Sequence, residues 1–99
     1  MIRGTTPTLR FVLPFEADML DTAYITMTQD GEKVLEKTLE DCEAEENMLS
    51  LKMSQEDTLA FEDGRGVEIQ VRAKMKTGEA IASQIERTTV QRILKDGVI

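Results

Sequence analysis

The chain has 99 residues, of which 40% are hydrophobic and 31% charged, and its 12 basic and 19 acidic side chains give a net charge of -7. That is the make-up of one small folded domain, too short for two independent cores and too apolar for a disordered chain. Having no histidine and only one cysteine, it is barred from imidazole base catalysis, histidine metal ligation, an internal disulfide and a thiolate zinc cluster.

The opening Met1 to Thr8 lacks the apolar run of a signal peptide, and no stretch approaches the ~20 apolar residues that span a bilayer, so a cytosolic protein is expected. Leu9, Phe11, Leu13 and Phe15 then recur at every second position, with Thr8, Arg10 and Val12 on the opposite side. Period two marks a strand with one dry and one wet face. Ala23, Ile25 and Met27 repeat the pattern against Thr22, Tyr24, Thr26 and Thr28. The following Asp30-Gly31 pair suits a two-residue hairpin, whose central residues both need positive φ. Residues 22 to 29 should therefore fold back onto 32 to 39.

Segment 32 to 46 is ambiguous by composition, because Val34, Leu35 and Leu39 fit a helical stripe and Glu, Lys and Leu are good helix formers. The hairpin turn demands a strand directly after it, so Lys33 to Leu39 is assigned as strand and Glu40 to Asn47 as an acidic loop. Leu49, Leu51 and Met53 resume the alternation. Ser54-Gln55-Glu56-Asp57 has the form of a helix cap followed by one turn that ends near Phe61, and Asp63-Gly64-Arg65-Gly66 turns into the next strand.

Val67 to Met75 carries the strongest signal, with apolar residues at all five odd positions and polar ones at all four even positions. Lys76 to Glu79 should reverse the chain into a last strand rising from Ala80. There Ile81 and Ile85 share a parity that Val90 breaks, which implies a bulge near Glu86-Arg87 or two short strands. About seven short antiparallel strands and one helical turn, over residues 1 to 99, amount to a single all-β domain, a β-sandwich of immunoglobulin-like size.

The charge divides as -2 over residues 1–31, -8 over 32–63 and +3 over 64–99. Glu68, Glu79, Glu86 and Asp96 dilute the basic third, so a nucleic-acid face is not expected. Of the three serines, Ser50, Ser54 and Ser83, none lies in a G-x-S-x-G or S-x-x-K motif, and without histidine none has a base. Gly64-Arg65-Gly66 lacks the remaining elements of a phosphate loop. Glu56, Asp57, Glu62 and Asp63 could pair for acid-base work, but such pairs need a deep cleft. Asp41, Glu43, Glu45 and Glu46 could gather calcium, yet their spacing matches no calcium loop. Cys42, between Asp41 and Glu43, is expected to be an unreactive thiol. The chain has no Trp, one Tyr and three Phe; Phe11, Phe15 and Phe61 are assigned to the core, leaving Tyr24 alone on a polar face. The six methionines are assigned to packing, with Met48, out of phase with its neighbours, a candidate for an interface.

Three segments carry a resemblance: the opening Met1-Ile2-Arg3-Gly4-Thr5-Thr6-Pro7-Thr8, the central Ser54-Gln55-Glu56-Asp57-Thr58 with Val67-Glu68-Ile69-Gln70-Val71-Arg72, and the closing Arg92-Ile93-Leu94-Lys95-Asp96-Gly97-Val98-Ile99. Together they resemble a group of small proteins encoded in phages and prophages of Gram-positive bacteria. The order of hairpin, Asp-Gly turn, acidic segment, capped turn and long alternating strand is also loosely similar to the N-terminal immunoglobulin-like domain of phage baseplate upper proteins, without their long C-terminal extension. The resemblance implies a non-enzymatic structural or accessory protein of the virion, tail or baseplate, present in the bacterial cytoplasm during assembly. It carries no catalytic, cofactor-binding or metal residue, and no cofactor or metal is expected.

The expected partners are the chain itself or other phage structural proteins, not nucleic acid or membrane. The unprotected edges at Thr6 to Phe15 and Ala80 to Leu94 invite another copy, and the apolar tail Arg92 to Ile99 could lie against a neighbour or on its own domain. Two other classes stay open: recognition of a host surface or polysaccharide, and an acidic mimic of DNA.

Overall fold

A computed structural model describes all residues, 1–99. Eight strands and one helical turn follow in order: β1 (Thr8–Val12), β2 (Leu20–Gln29), β3 (Glu32–Thr38), β4 (Cys42–Glu45), β5 (Met48–Lys52), α1 (Gln55–Leu59), β6 (Val67–Met75), β7 (Ala80–Ala82) and β8 (Glu86–Thr88). They form two antiparallel sheets packed face to face. One has the order β1-β5-β4; the other has β3-β2-β6, with β7 and β8 both on the far side of β6. The domain is thus the expected all-β sandwich, with one strand more than anticipated. No helix is long and apolar enough to cross a membrane.

The two longest strands lie side by side at the centre of the larger sheet. Their register sets Ile25 opposite Val71, Ala23 opposite Ala73 and Met27 opposite Ile69. The inward alternation of both strands then meets Leu51 from β5, Met53 just after it and Phe61 from beyond α1, forming one buried cluster with Val67 and Val90. A second cluster unites Ala17, Leu20, Ala23, Leu49, Ala73 and Met75 at the other end. Polar partners of the same strands, such as Tyr24 opposite Arg72, stay on the outer face.

The turns follow their local chemistry. Asp30 and Gly31 have φ of 52° and 79°, the positive pair that lets a two-residue hairpin match strand twist. Ser54 caps α1: its Oγ accepts from the Asp57 N–H at 3.1 Å, while the Asp57 carboxylate accepts from the Ser54 N–H at 2.9 Å. Lys37 of β3 lies 3.2 Å from the same carboxylate, tying the hairpin to the cap.

One expectation is corrected. Glu40 to Asn47 is not a loop: Leu39–Asp41 forms a short 3-10 turn and Cys42–Glu45 a strand against β5, with Cys42 opposite Leu51 and Ala44 opposite Leu49. The strand lies at an edge, where Glu43, Ala44 and Glu45 are all solvated and only Cys42 is half-buried. Of the two alternatives for the last segment, the structure takes the two short strands, with regular structure ending at Thr88 apart from a bridge between Gln91 and Ile2. Ser83 holds the break open. Its N–H donates to the Val71 carbonyl at 2.8 Å and its Oγ accepts from the Val71 N–H at 3.0 Å, so one residue satisfies both backbone groups while the chain steps out of line.

Two outcomes test this packing. Val71→Asp places an unpaired carboxylate against the core and should abolish cooperative thermal unfolding, whereas Arg72→Ser on the wet face should change stability by no more than about 0.5 kcal/mol. The cap gives a pH signature. Burial pushes the Asp57 carboxyl upward, but the hydrogen bonds from the Ser54 N–H and Lys37, the Lys37 charge and the Ser54 hydroxyl outweigh it and hold the group below its ordinary 3.8. A depressed carboxyl contributes stability that is present above the unfolded value and lost as pH falls through the folded one. Asp57→Ala should therefore cost about 1 kcal/mol at neutral pH, and the difference from wild type in denaturant melts should shrink as pH drops below 3.8.

Candidate functional site

The sandwich is unevenly closed. On one side β3 and β4 are joined by the short turn at Leu39–Asp41; on the other, β1 and the β7–β8 pair bound a groove of about 720 Å³. Its floor is the inner face of the core strands, with Leu49, Val71, Ala73 and Met75 at the bottom; Phe11 and Phe15 form one wall and Ile81 the other. Phe11 and Phe15, assigned to the core, do point inward, but each is only half-buried because no strand covers it from the groove side. Arg10, Glu79 and Glu86 stand at the rim.

The β1 wall also exposes unpaired backbone. Leu13 donates its N–H to the Asn47 carbonyl at 2.7 Å, and the Met53 N–H donates to the Pro7 carbonyl at 2.9 Å. In an antiparallel ladder bonded pairs alternate, so the odd-numbered residues face β5 and the N–H and C=O groups of Thr8, Arg10 and Val12 face outward. Val12 is 70% exposed. The opposite wall is similar but shorter: the Met75 N–H bonds to the Glu79 carbonyl and Ser83 to Val71, leaving the backbone of Ala80 and Ala82 outward.

A second, shallower concavity of about 460 Å³ lies on the outer face of the larger sheet around Tyr24, Arg72 and Lys74. Tyr24 is 46% exposed, as its place among polar residues implied. No ion pair engages Arg72 or Lys74.

The remaining candidates are dispersed. Asp41 accepts from the Thr38 N–H at 2.9 Å and from its hydroxyl at 3.2 Å, while Glu43 and Glu45 lie on β4 and Glu46 in the turn beyond it. No group of three or more acidic or cysteine side chains converges to hold a metal ion. Glu62 pairs with Arg65 at 3.1 Å and Asp57 with Lys37, so the carboxylates considered for acid-base work are partly spent on structure. Ser54 and Ser83 serve the backbone as described, and Ser50 sits on β5 opposite Arg10 and Glu43.

The tail Arg92 to Ile99 lies on its own domain. Ile93 packs against Gly4, 3.0 Å from where a β-carbon would stand, and the Gln55 amide donates to the Ile99 carbonyl at 3.1 Å and accepts from its N–H at 2.9 Å. Leu94 and Ile99 nevertheless remain 92% and 88% exposed. The groove was not anticipated as a site: Phe11 and Phe15 gave its apolar character, but only the strand order reveals that their side of the sandwich is uncovered.

Cys42 lies beside the closed edge, its thiol donating to the Thr38 carbonyl at 3.6 Å. Burial first, and then the Asp41 charge, push that thiol above its ordinary range. At pH 8 it should react with an aromatic disulfide more slowly than in the denatured chain, measured by thiolate release. No family model, curated protein or solved structure matches this chain.

Proposed function

We propose that the chain is a non-enzymatic structural or accessory protein of a phage, an interaction module associated with the virion, tail or baseplate. The observation that carries this reading is the open side of the sandwich, where an unpaired strand edge stands beside an apolar groove. A free edge supplies main-chain hydrogen bonds and an apolar wall supplies side-chain contacts, which together are the requirements for docking an extended strand. The resemblance of the opening, central and closing segments to phage and prophage proteins of Gram-positive bacteria supports the setting.

The face around Tyr24 favours a second reading, recognition of an anionic host polysaccharide. One ring gives a sugar a stacking surface, and Arg72 and Lys74 offer charges that no internal partner neutralises. A single platform with no enclosing wall supports it less well than the groove supports the first. The DNA-mimic reading has least support, since within the acidic stretch Glu36, Asp41, Asp57 and Glu62 are engaged by internal partners.

The test is composition of purified particles. Quantitative mass spectrometry of virions from an induced lysogen encoding the chain should find it in fixed ratio to capsid or tail proteins; its confinement to the unassembled cell lysate would overturn the reading.

A further inference from the structure

Three of the chain's aspartates precede glycine, at Asp30-Gly31, Asp63-Gly64 and Asp96-Gly97. Aspartyl-glycine is the aspartyl linkage most prone to close into a succinimide, because glycine has no β-carbon to shield its nitrogen from the neighbouring carboxyl carbon and its backbone turns freely. By sequence the three are alike. The fold separates them.

At Asp30-Gly31 both residues hold the positive φ of the two-residue hairpin, 52° and 79°, between the paired Gln29 and Glu32. Bringing the Gly31 nitrogen onto the Asp30 carboxyl carbon requires rotation about the Asp30 Cα–C bond, which would unseat the β2–β3 pairing. The Asp30 carboxylate also accepts from the Arg65 guanidinium at 2.9 Å, which tethers it to the neighbouring loop. At Asp63-Gly64 the nucleophile itself is held. The Gly64 N–H donates to the Val90 carbonyl at 3.1 Å, and Val90 is buried in the core. The residue before the pair is clamped as well, since the buried Gln29 side chain donates to the Glu62 carbonyl at 2.8 Å and accepts from the Glu62 N–H at 2.9 Å.

Asp96-Gly97 has neither restraint. It lies beyond the last strand, in a segment without regular structure, and the Gly97 N–H takes part in none of the hydrogen bonds that hold the tail. The Asp96 side chain is 77% exposed and stands 3.6 Å from the Arg3 guanidinium, beyond hydrogen-bond length. A β-carbon at Gly97 would meet nothing within 4 Å. A segment so placed opens locally at almost no free-energy cost, whereas the hairpin and the Gly64 loop open only with the strands and core to which they are joined.

We infer that Asp96-Gly97 is a site of spontaneous aspartyl isomerisation in the folded protein, and that the reaction releases the tail from Gln55. The Gly97 nitrogen attacks Asp96 Cγ; the N–Cγ bond forms, the Cγ–O bond breaks, and the carboxyl hydroxyl leaves with the amide proton as water. Water then adds to one of the two imide carbonyls. Addition at Cγ breaks the new bond and returns aspartate. Addition at the former main-chain carbonyl breaks its bond to nitrogen instead, so that the chain runs through Cβ and Cγ as isoaspartate, with no atom gained or lost overall. The product lengthens the main chain by one methylene between Ile93, packed on Gly4, and Ile99, gripped by the Gln55 amide at both its N–H and its carbonyl. Those two bonds depend on the length and direction of the chain that reaches them. The inference is independent of the phage role and of the groove.

Prolonged incubation of the intact chain at neutral pH and physiological temperature tests it, with digestion and electron-transfer fragmentation to locate isoaspartate, which has the mass of aspartate but cleaves at the inserted methylene. In the folded chain isoaspartate should build up at position 96 while 30 and 63 stay near their starting level; in urea all three should convert at comparable rates. Gly97→Ala should suppress the product at 96 in both conditions, since its β-carbon shields the nitrogen and has open space around it. The converted chain, separated by reversed-phase chromatography, should show the Gln55 side-chain amide resonances of a fully solvated glutamine, with the β2 and β6 amide resonances unmoved.

Isoaspartate that appears first at 30 or 63, or at all three positions equally in the folded chain, overturns the site, as does a folded chain that stays unmodified. Gln55 resonances untouched by conversion overturn the release of the tail.

Discussion

The pairing of β2 with β6 is the constraint on which the domain rests. These strands are separated by some forty residues of sequence, yet they align Ile25 with Val71 and Ala23 with Ala73 at the centre of the larger sheet. Every other strand of that sheet hangs from one of them, and the smaller sheet has a surface to pack on only because their inward residues form a continuous apolar face. Closing so long a loop costs entropy before any contact returns it. The Asp30-Gly31 hairpin lowers that cost locally, since β3 docks on β2 without waiting for β6, and the capped turn at Ser54 carries the chain from one layer back toward the other. The Lys37–Asp57 pair binds those two local devices together.

A sandwich in which one sheet has three strands and the other a broken fourth column cannot cover its own inner face everywhere. The shortfall falls on the side of β1, where Phe11 and Phe15 face inward but lack a lid. Apolar surface left uncovered in a 99-residue chain costs a sizeable share of a small domain's stability, and here it lies beside a strand whose outward backbone groups are unpaired. The other edges are built differently: β3 is charged, β4 short and acidic, and β7–β8 interrupted. Acidity and openness are thus separated in space, the one lying on edges that stay solvated and the other on the side of β1.

Much of this architecture could be read along the chain, and the parts that could not share a cause. The alternation of residues 67 to 75 fixed β6 and its wet face because both faces of a half-buried strand are encoded locally. Asp30-Gly31 and Ser54-x-x-Asp57 worked for the same reason, each residue type being required by its own backbone angles or orphan N–H groups. Cys42 to Glu45 also alternates, but with Cys and Ala as its only apolar residues the periodicity was outweighed by the run of acids around it. The break at Ser83 was legible as a parity slip between Ile85 and Val90, though not as the substitution of one serine for a stretch of ladder. The groove was out of reach in principle, because whether an inward Phe is covered depends on which strand lies beyond it, and strand order is a property of the whole chain.

The bridge between Ile2 and Gln91 joins the two ends of the fold in parallel, with Arg3 N–H bonded to the Gln91 carbonyl at 3.2 Å and Gln91 N–H to the Met1 carbonyl at 2.8 Å. Parallel strands loaded from opposite ends are strained lengthwise, so that their hydrogen bonds bear tension together instead of opening one after another like a zip. A pull applied through the two termini would meet this clasp before it reached the sheets, with the Arg3 guanidinium, bonded to the Phe61 and Leu59 carbonyls, as a further anchor. The fold is therefore mechanically closed at the end where its chain enters and leaves, and laterally open along β1.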